Sequence, residues 1–126
     1  MRKSEYIFFG LSGLYRLPYS LKNMKTKILA IGRHAEILQT VVRLLNNNPE
    51  WEGVGANTDD EAVLLFSAQP FKIVLLCGGI EQESEDRLRS AFNALNPDAI
   101  IVQHYGGGSG LLSAEIYQAL AKQTGV

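Results

Sequence analysis

The sequence predicts an α/β fold, a three-layer αβα sandwich around a short parallel sheet, and three observations carry that expectation. Strand and helix signals alternate in strict order from Lys27 to about Lys122. The strand candidates Ile28-Leu29-Ala30-Ile31 and Ile73-Val74-Leu75-Leu76 are apolar at every position. A strand covered by helices on both faces needs that pattern, whereas a half-exposed strand alternates. Each strand also runs into a turn or helix start: Gly32, Asn57-Thr58, Gly78-Gly79 and Gly106. Such alternation implies right-handed crossovers, with helices on both faces.

The first strand, Ile28–Ile31, ends at Gly32. Ile37, Leu38, Val41, Val42, Leu44 and Leu45 then recur at helical spacing, and Asn46-Asn47-Asn48-Pro49 stops that helix. Trp51-Glu52-Gly53-Val54-Gly55-Ala56 is a weaker strand, whose glycines suit an edge or a close approach of backbone. Thr58-Asp59-Asp60-Glu61 is a capping box, with the Thr58 hydroxyl accepting from the third helical amide and Glu61 reaching back to the cap. Ala62, Val63, Leu65 and Phe66 form the buried stripe, and Gln69-Pro70 ends it.

The central strand 72–77 closes on Cys77, Gly78 and Gly79. Between Glu81 and Asn96, Leu88, Ala91, Phe92 and Leu95 share one face of a charged helix. Asn96-Pro97-Asp98 turns the chain into Ala99-Ile100-Ile101-Val102, which leads to Gln103-His104-Tyr105. Gly106-Gly107-Gly108-Ser109-Gly110 reads as a flexible loop, followed by a last helix from about Ser113 to Lys122 with Ile116, Leu120 and Tyr117 inward.

One domain is the expectation at 126 residues. Residues 24–126 are assigned to it, beginning at Met24-Lys25-Thr26-Lys27. Residues 1–23 are read as an N-terminal extension, either flexible or an artefact of an upstream start. Residues 1–27 carry a balance of +5 and residues 28–126 one of −6, so the two regions differ in kind. The whole chain is close to neutral at −1, which gives no electrostatic pointer to nucleic acid. No run of about 20 apolar residues suggests a membrane span. The lone cysteine excludes an internal disulfide and fits a reducing, cytoplasmic setting.

The flow Lys27-Ile28-Leu29-Ala30-Ile31, Pro49-Glu50-Trp51, Asp60-Glu61-Ala62, Phe71-Lys72-Ile73-Val74-Leu75-Leu76 and Pro97-Asp98-Ala99-Ile100-Ile101-Val102 resembles the receiver domain of bacterial response regulators. The likeness runs from residue 27 to about 105. It implies a flavodoxin-like sheet of order 2-1-3-4, counting from the first strand above, with the family's fifth strand missing or vestigial. Three ways to complete the sheet stay open: four strands alone, a stub from Gly110-Leu111-Leu112, or an added edge from Tyr6-Ile7-Phe8-Phe9.

The resemblance also implies a loss. Gly32 and Arg33 stand where the family holds two acids for Mg²⁺, and a guanidinium repels a divalent cation. Cys77 stands at the phospho-acceptor aspartate, His104 at the hydroxyl position, and the family's lysine has no clear counterpart. The expectation is a pseudo-receiver without Mg²⁺-dependent aspartyl phosphorylation. It would not be an enzyme and would act in two-component-type signalling through protein–protein contact, with homodimerisation implied by the family and no cofactor, nucleic-acid or membrane partner.

The candidate ligand pocket follows from where open α/β sheets bind, outside the carboxyl ends of the strands. It comprises Arg33, His34, Thr58, Cys77, Gly78, His104 and Tyr105. One alternative function is thiol or phosphocysteine chemistry at Cys77, with His104 on the neighbouring strand about 4.8 Å away. Against it stands the commoner role of a free cysteine as a small apolar residue. A second alternative is an anion-binding module in which glycine loops and helix N-termini offer amides to phosphate. No named nucleotide motif supports it, since Gly106–Leu111 lacks both the last glycine of a dinucleotide fingerprint and a Walker lysine. One cysteine and two histidines fall short of a closed zinc site.

Overall fold

The structure, a computed structural model, describes residues 6–9, 13–16, 25–106 and 109–123. The other residues of 1–24, and Gly107 and Gly108 of the glycine-rich stretch, lie outside the described residues, as does the proposed boundary at Met24.

β1 (Tyr6–Phe9) and β2 (Gly13–Arg16) form an antiparallel hairpin. Then come β3 (Thr26–Ile31), α1 (Ala35–Asn46), β4 (Trp51–Ala56), α2 (Asp59–Ala68), β5 (Ile73–Leu76), α3 (Gln82–Leu95), β6 (Ile100–Gln103) and α4 (Ser109–Gln123). The main sheet is parallel with order β4-β3-β5-β6, the expected 2-1-3-4. No helix among the described residues is long and apolar enough to cross a membrane.

The sheet is complete with four strands among the described residues. Tyr6–Phe9 does not supply a fifth, because its partner is the adjacent Gly13–Arg16. A local hairpin closes a far shorter loop than pairing with a distant sheet edge would. Gly110-Leu111-Leu112 is not a strand stub either: it belongs to the first turn of α4. That helix starts earlier than Ser113 because Leu112 is buried one turn before Ile116 and extends the inward stripe.

Two cores flank the sheet, as strand alternation requires. Ile28, Ala30, Ile73, Leu75 and Cys77 meet Leu38, Val41 and Leu45 of α1 and Leu112, Ile116 and Ala119 of α4. Leu29, Ile31, Val74 and Leu76 meet Ala62 and Phe66 of α2 and Leu88 and Phe92 of α3. Phe66 sits between Phe92, at 4.5 Å between ring centroids, and Phe71 at 6.4 Å. Not every residue read as inward is buried. Ile37, Leu95 and Tyr117 are half exposed, although the Tyr117 ring rests 5.2 Å from Trp51.

The glycines of β4 do permit a close approach. A side chain at Gly53 would meet Leu45 Cβ at 2.8 Å. The Asn46 side chain closes this edge of the sheet, accepting from the Gly53 amide at 2.8 Å and donating to its carbonyl at 3.2 Å.

Candidate functional site

The carboxyl ends of β3, β4, β5 and β6 lie at one edge of the sheet, and each strand hands over to a short turn there. At the end of β3, Gly32 is tight against the next strand: a methyl group there would meet Cys77 Cβ at 3.3 Å and Sγ at 3.9 Å. This is why a small residue precedes Arg33. The Arg33 guanidinium reaches across the edge to the Asn57 carbonyl at 2.9 Å, Asp59 at 2.6 Å and Glu81 at 3.3 Å. Arg87 adds a longer contact to Asp59 at 3.4 Å.

The electrostatics of this cluster are mutual. The hydrogen bond to Asp59 raises the Arg33 pKa further despite partial burial. Burial alone would raise Asp59, but hydrogen bonds from Arg33, Ser84 and Arg87 outweigh it and hold the carboxylate below its usual range. Glu81 is lowered by its own backbone amide first and by Arg33 second. The acids of this edge are thus neutralised by a cation from inside the protein.

His34 and Thr58 serve as caps. His34 Nδ1 accepts from the Ile37 amide at 3.3 Å, starting α1. Thr58 Oγ1 accepts from the Glu61 amide at 3.2 Å, starting α2. Glu61 reaches one residue further back than the capping box predicts, accepting from the Asn57 amide at 3.0 Å. The Asn57 side chain donates to the Gly32 carbonyl at 3.2 Å and ties the first two turns together.

Cys77 and His104 extend neighbouring strands by one residue. The Cys77 amide donates to Ile31 at 2.8 Å and the His104 amide to Leu76 at 2.9 Å. By strand alternation both side chains face α1 and α4. The thiol is buried, and its pKa is pushed up to about 11, by desolvation first and by the Glu115 carboxylate second. His104 is 5% exposed and its Nδ1 lies 2.6 Å from Glu115 Oε1. An ionised carboxylate only accepts, so this contact keeps the ring proton on Nδ1. Among the described residues, the imidazole's hydrogen bond goes to α4 and not to the thiol.

Gly78 and Gly79 are exposed, and Gly79 turns with a φ of 89°, a conformation that suits glycine. Tyr105 is 87% exposed. The seven predicted residues therefore share one edge but are not one open pocket: Cys77 and His104 are inside, Arg33 is engaged, His34 and Thr58 cap helices, and Gly78 and Tyr105 face outward. His104 does border a cleft between α1 and α4, which Glu36, Ile37, Thr40 and Leu112 also line. No group of three His, Cys, Asp or Glu side chains among the described residues is placed to share a metal ion.

Three participants escaped the sequence reading. Spacing marks Asp59 only as a member of the capping box and Glu81 only as the start of a charged helix, and it gives Glu115 no role. The only signal for Glu115 was an acid one residue before the buried Ile116, on the flank of an apolar stripe.

No family model matches the chain, and neither does the sequence of any curated protein. Solved structures do match. The chain is similar to the signal receiver domain of an HD domain-containing protein from Pseudomonas fluorescens Pf-5, with 15% identity and a TM-score of 0.57, covering 81% of this chain and 99% of that one. It is also similar to an adenylate cyclase from Rhodopirellula baltica, with 17% identity and a TM-score of 0.51, covering 80% of this chain and 94% of that one. The fold is receiver-like.

Proposed function

We propose that this chain is a pseudo-receiver: a non-enzymatic domain of the cytoplasm that acts in signalling or regulation by binding protein. The observation that carries the reading is the state of the edge where a receiver would take up phosphate. Its cysteine is buried with a pKa near 11. Its arginine is engaged by Asp59 and Glu81. A phosphoryl group would need a nucleophile at the surface and a free cation beside it, whereas here the thiol is buried and the guanidinium is paired with two carboxylates.

The thiol-chemistry reading loses support on the same geometry. An activated cysteine needs a base within hydrogen-bond reach and a lowered pKa. Here the imidazole bonds to Glu115, and burial first and that carboxylate second raise the thiol pKa.

The test is exposure to acetyl phosphate and Mg²⁺ followed by intact-mass and two-dimensional amide spectra. The expected result is an unchanged mass and unchanged spectra. A chain that gains one phosphoryl group, at Cys77 or elsewhere on this edge, overturns the reading. Thiol labelling across pH adds a second check: a reactivity midpoint at or below that of a free thiol would restore chemistry at Cys77.

A further inference from the structure

The two edges of the main sheet are built differently. At β4 the outward peptide of Gly53 is closed by the Asn46 side chain. At β6 the amides of Ile100 and His104 donate inward to β5. Alternation then points the N–H and C=O groups of Ile101 and Gln103 away from the sheet. No strand among the described residues pairs with them. The strand carries no charge, proline or bulge, the usual devices that keep an edge from pairing. All of its residues are half-exposed, and Ile100, Ile101 and Val102 are apolar.

We infer that β6 is the pairing edge for a second copy of this chain, joined antiparallel about a two-fold axis through Val102. In that register Ile101 of each copy faces Gln103 of the other, and each pair exchanges both of its backbone hydrogen bonds. Val102 faces its own counterpart on the side that carries α4. The two four-stranded sheets become one sheet.

Charge selects a second copy over an arbitrary strand. The groove beside β6 is lined by Glu115, Gln118, Ala119 and Lys122 of α4. Glu115 lies at the His104 end of β6. Lys122 lies at the other end, beside Ile100. An antiparallel copy places its Lys122 at this chain's Glu115 and its Glu115 at this chain's Lys122. Such a patch is self-complementary, as an isologous interface requires.

The inference rests on reading the chain as an interaction domain and names one partner for it. Sedimentation equilibrium of the full chain should give twice the 13.9 kDa chain mass. Hydrogen exchange should show the Ile101 and Gln103 amides protected. Ile101→Pro removes an outward amide without touching the bonds to β5, and should yield a folded monomer. Lys122→Glu sets like charges together at both ends and should weaken the dimer about tenfold or more, which at about 1.4 kcal/mol exceeds a single exposed ion pair.

Should Ile101→Pro unfold, Lys122→Glu decides the matter. A wild-type monomer with freely exchanging Ile101 and Gln103 amides overturns the inference and leaves the edge to a strand from another protein. A dimer that Lys122→Glu leaves unchanged overturns it too and places self-association on another face. Neither result touches the phosphorylation test above, so the two readings fail separately.

Discussion

Replacing Cys77 by aspartate restores the residue type that the receiver resemblance expects, and the structure says the fold will resist it. The thiol pKa rises from 9.0 to about 11 because water is excluded and Glu115 is near. A carboxylate at the same position meets the same two costs. Two pKa units correspond to about 3 kcal/mol against the ionised form. The native pKa of the new aspartate then stands near 6, against about 3.9 when unfolded. A raised native pKa in an acid means that the penalty is absent below about pH 4, grows through the interval to about pH 6, and is complete above it. The control is Cys77→Asn, which has nearly the same shape and no charge. Urea unfolding of the pair near neutral pH should show the aspartate variant weaker by about 3 kcal/mol, a midpoint lower by about 1–2 M for a slope near 2 kcal/mol/M. The gap should close near pH 4, and Glu115→Gln should narrow it at neutral pH. Equal midpoints for the two variants at neutral pH would refute the premise that this position is desolvated and sits beside a negative charge.

Gly53→Ala places a methyl group 2.8 Å from Leu45 Cβ, so α1 must move off β4. Thermal unfolding should register a loss of about 1–3 kcal/mol. Phe92→Ala removes the ring packed 4.5 Å from Phe66, and denaturant titration should show a loss of about 3–5 kcal/mol. Asp59 has a lowered native pKa, so its contribution is present above its unfolded pKa of about 3.9 and is lost as pH falls through the native value. Asp59→Asn should flatten the acid limb of the stability–pH curve below about pH 4 while lowering stability at neutral pH; an acid limb identical to wild type would show that Arg33 does not stabilise the charged form.

The sheet was legible in the sequence because its physics is local. Ile28–Ile31 and Ile73–Leu76 are apolar at every position, and only a doubly covered strand needs that. Thr58 was legible as a cap for the same reason, since its bond spans three residues. What escaped depends on distance along the chain. Arg33 finds Asp59 and Glu81 across 26 and 48 residues, and no spacing rule connects them. His104 was placed correctly beside Cys77 by strand counting, but its hydrogen-bond partner Glu115 comes from a helix whose start was read too late. Once Leu112 is recognised as inward, α4 begins near Ser109 and Glu115 falls beside the end of β6. Ile37 misled in the opposite direction: helical spacing marks a face but does not set how wide a stripe the neighbours cover, and Ile37 lies on its rim, 56% exposed.

The central position of β3 has a consequence for synthesis. β3 is paired with β4 and β5, so its inner neighbour arrives only after two crossovers, and β6 can add only to β5. During translation, a chain that has reached α3 but not β6 presents β5 as an open edge, with Ile73, Val74, Leu75 and Leu76 all 0% exposed in the finished fold. Without α4, half of one core is also uncovered. The vulnerable interval of this protein is thus the emergence of β6 and α4, when non-local parallel pairing is slowest and an apolar strand is most available to a wrong partner. A nascent chain exposed only as far as Asn96, with the segment that follows still inside the ribosome, would be held in that state. Chaperone capture of nascent chains should peak there and fall once α4 closes over Ile73 and Leu75.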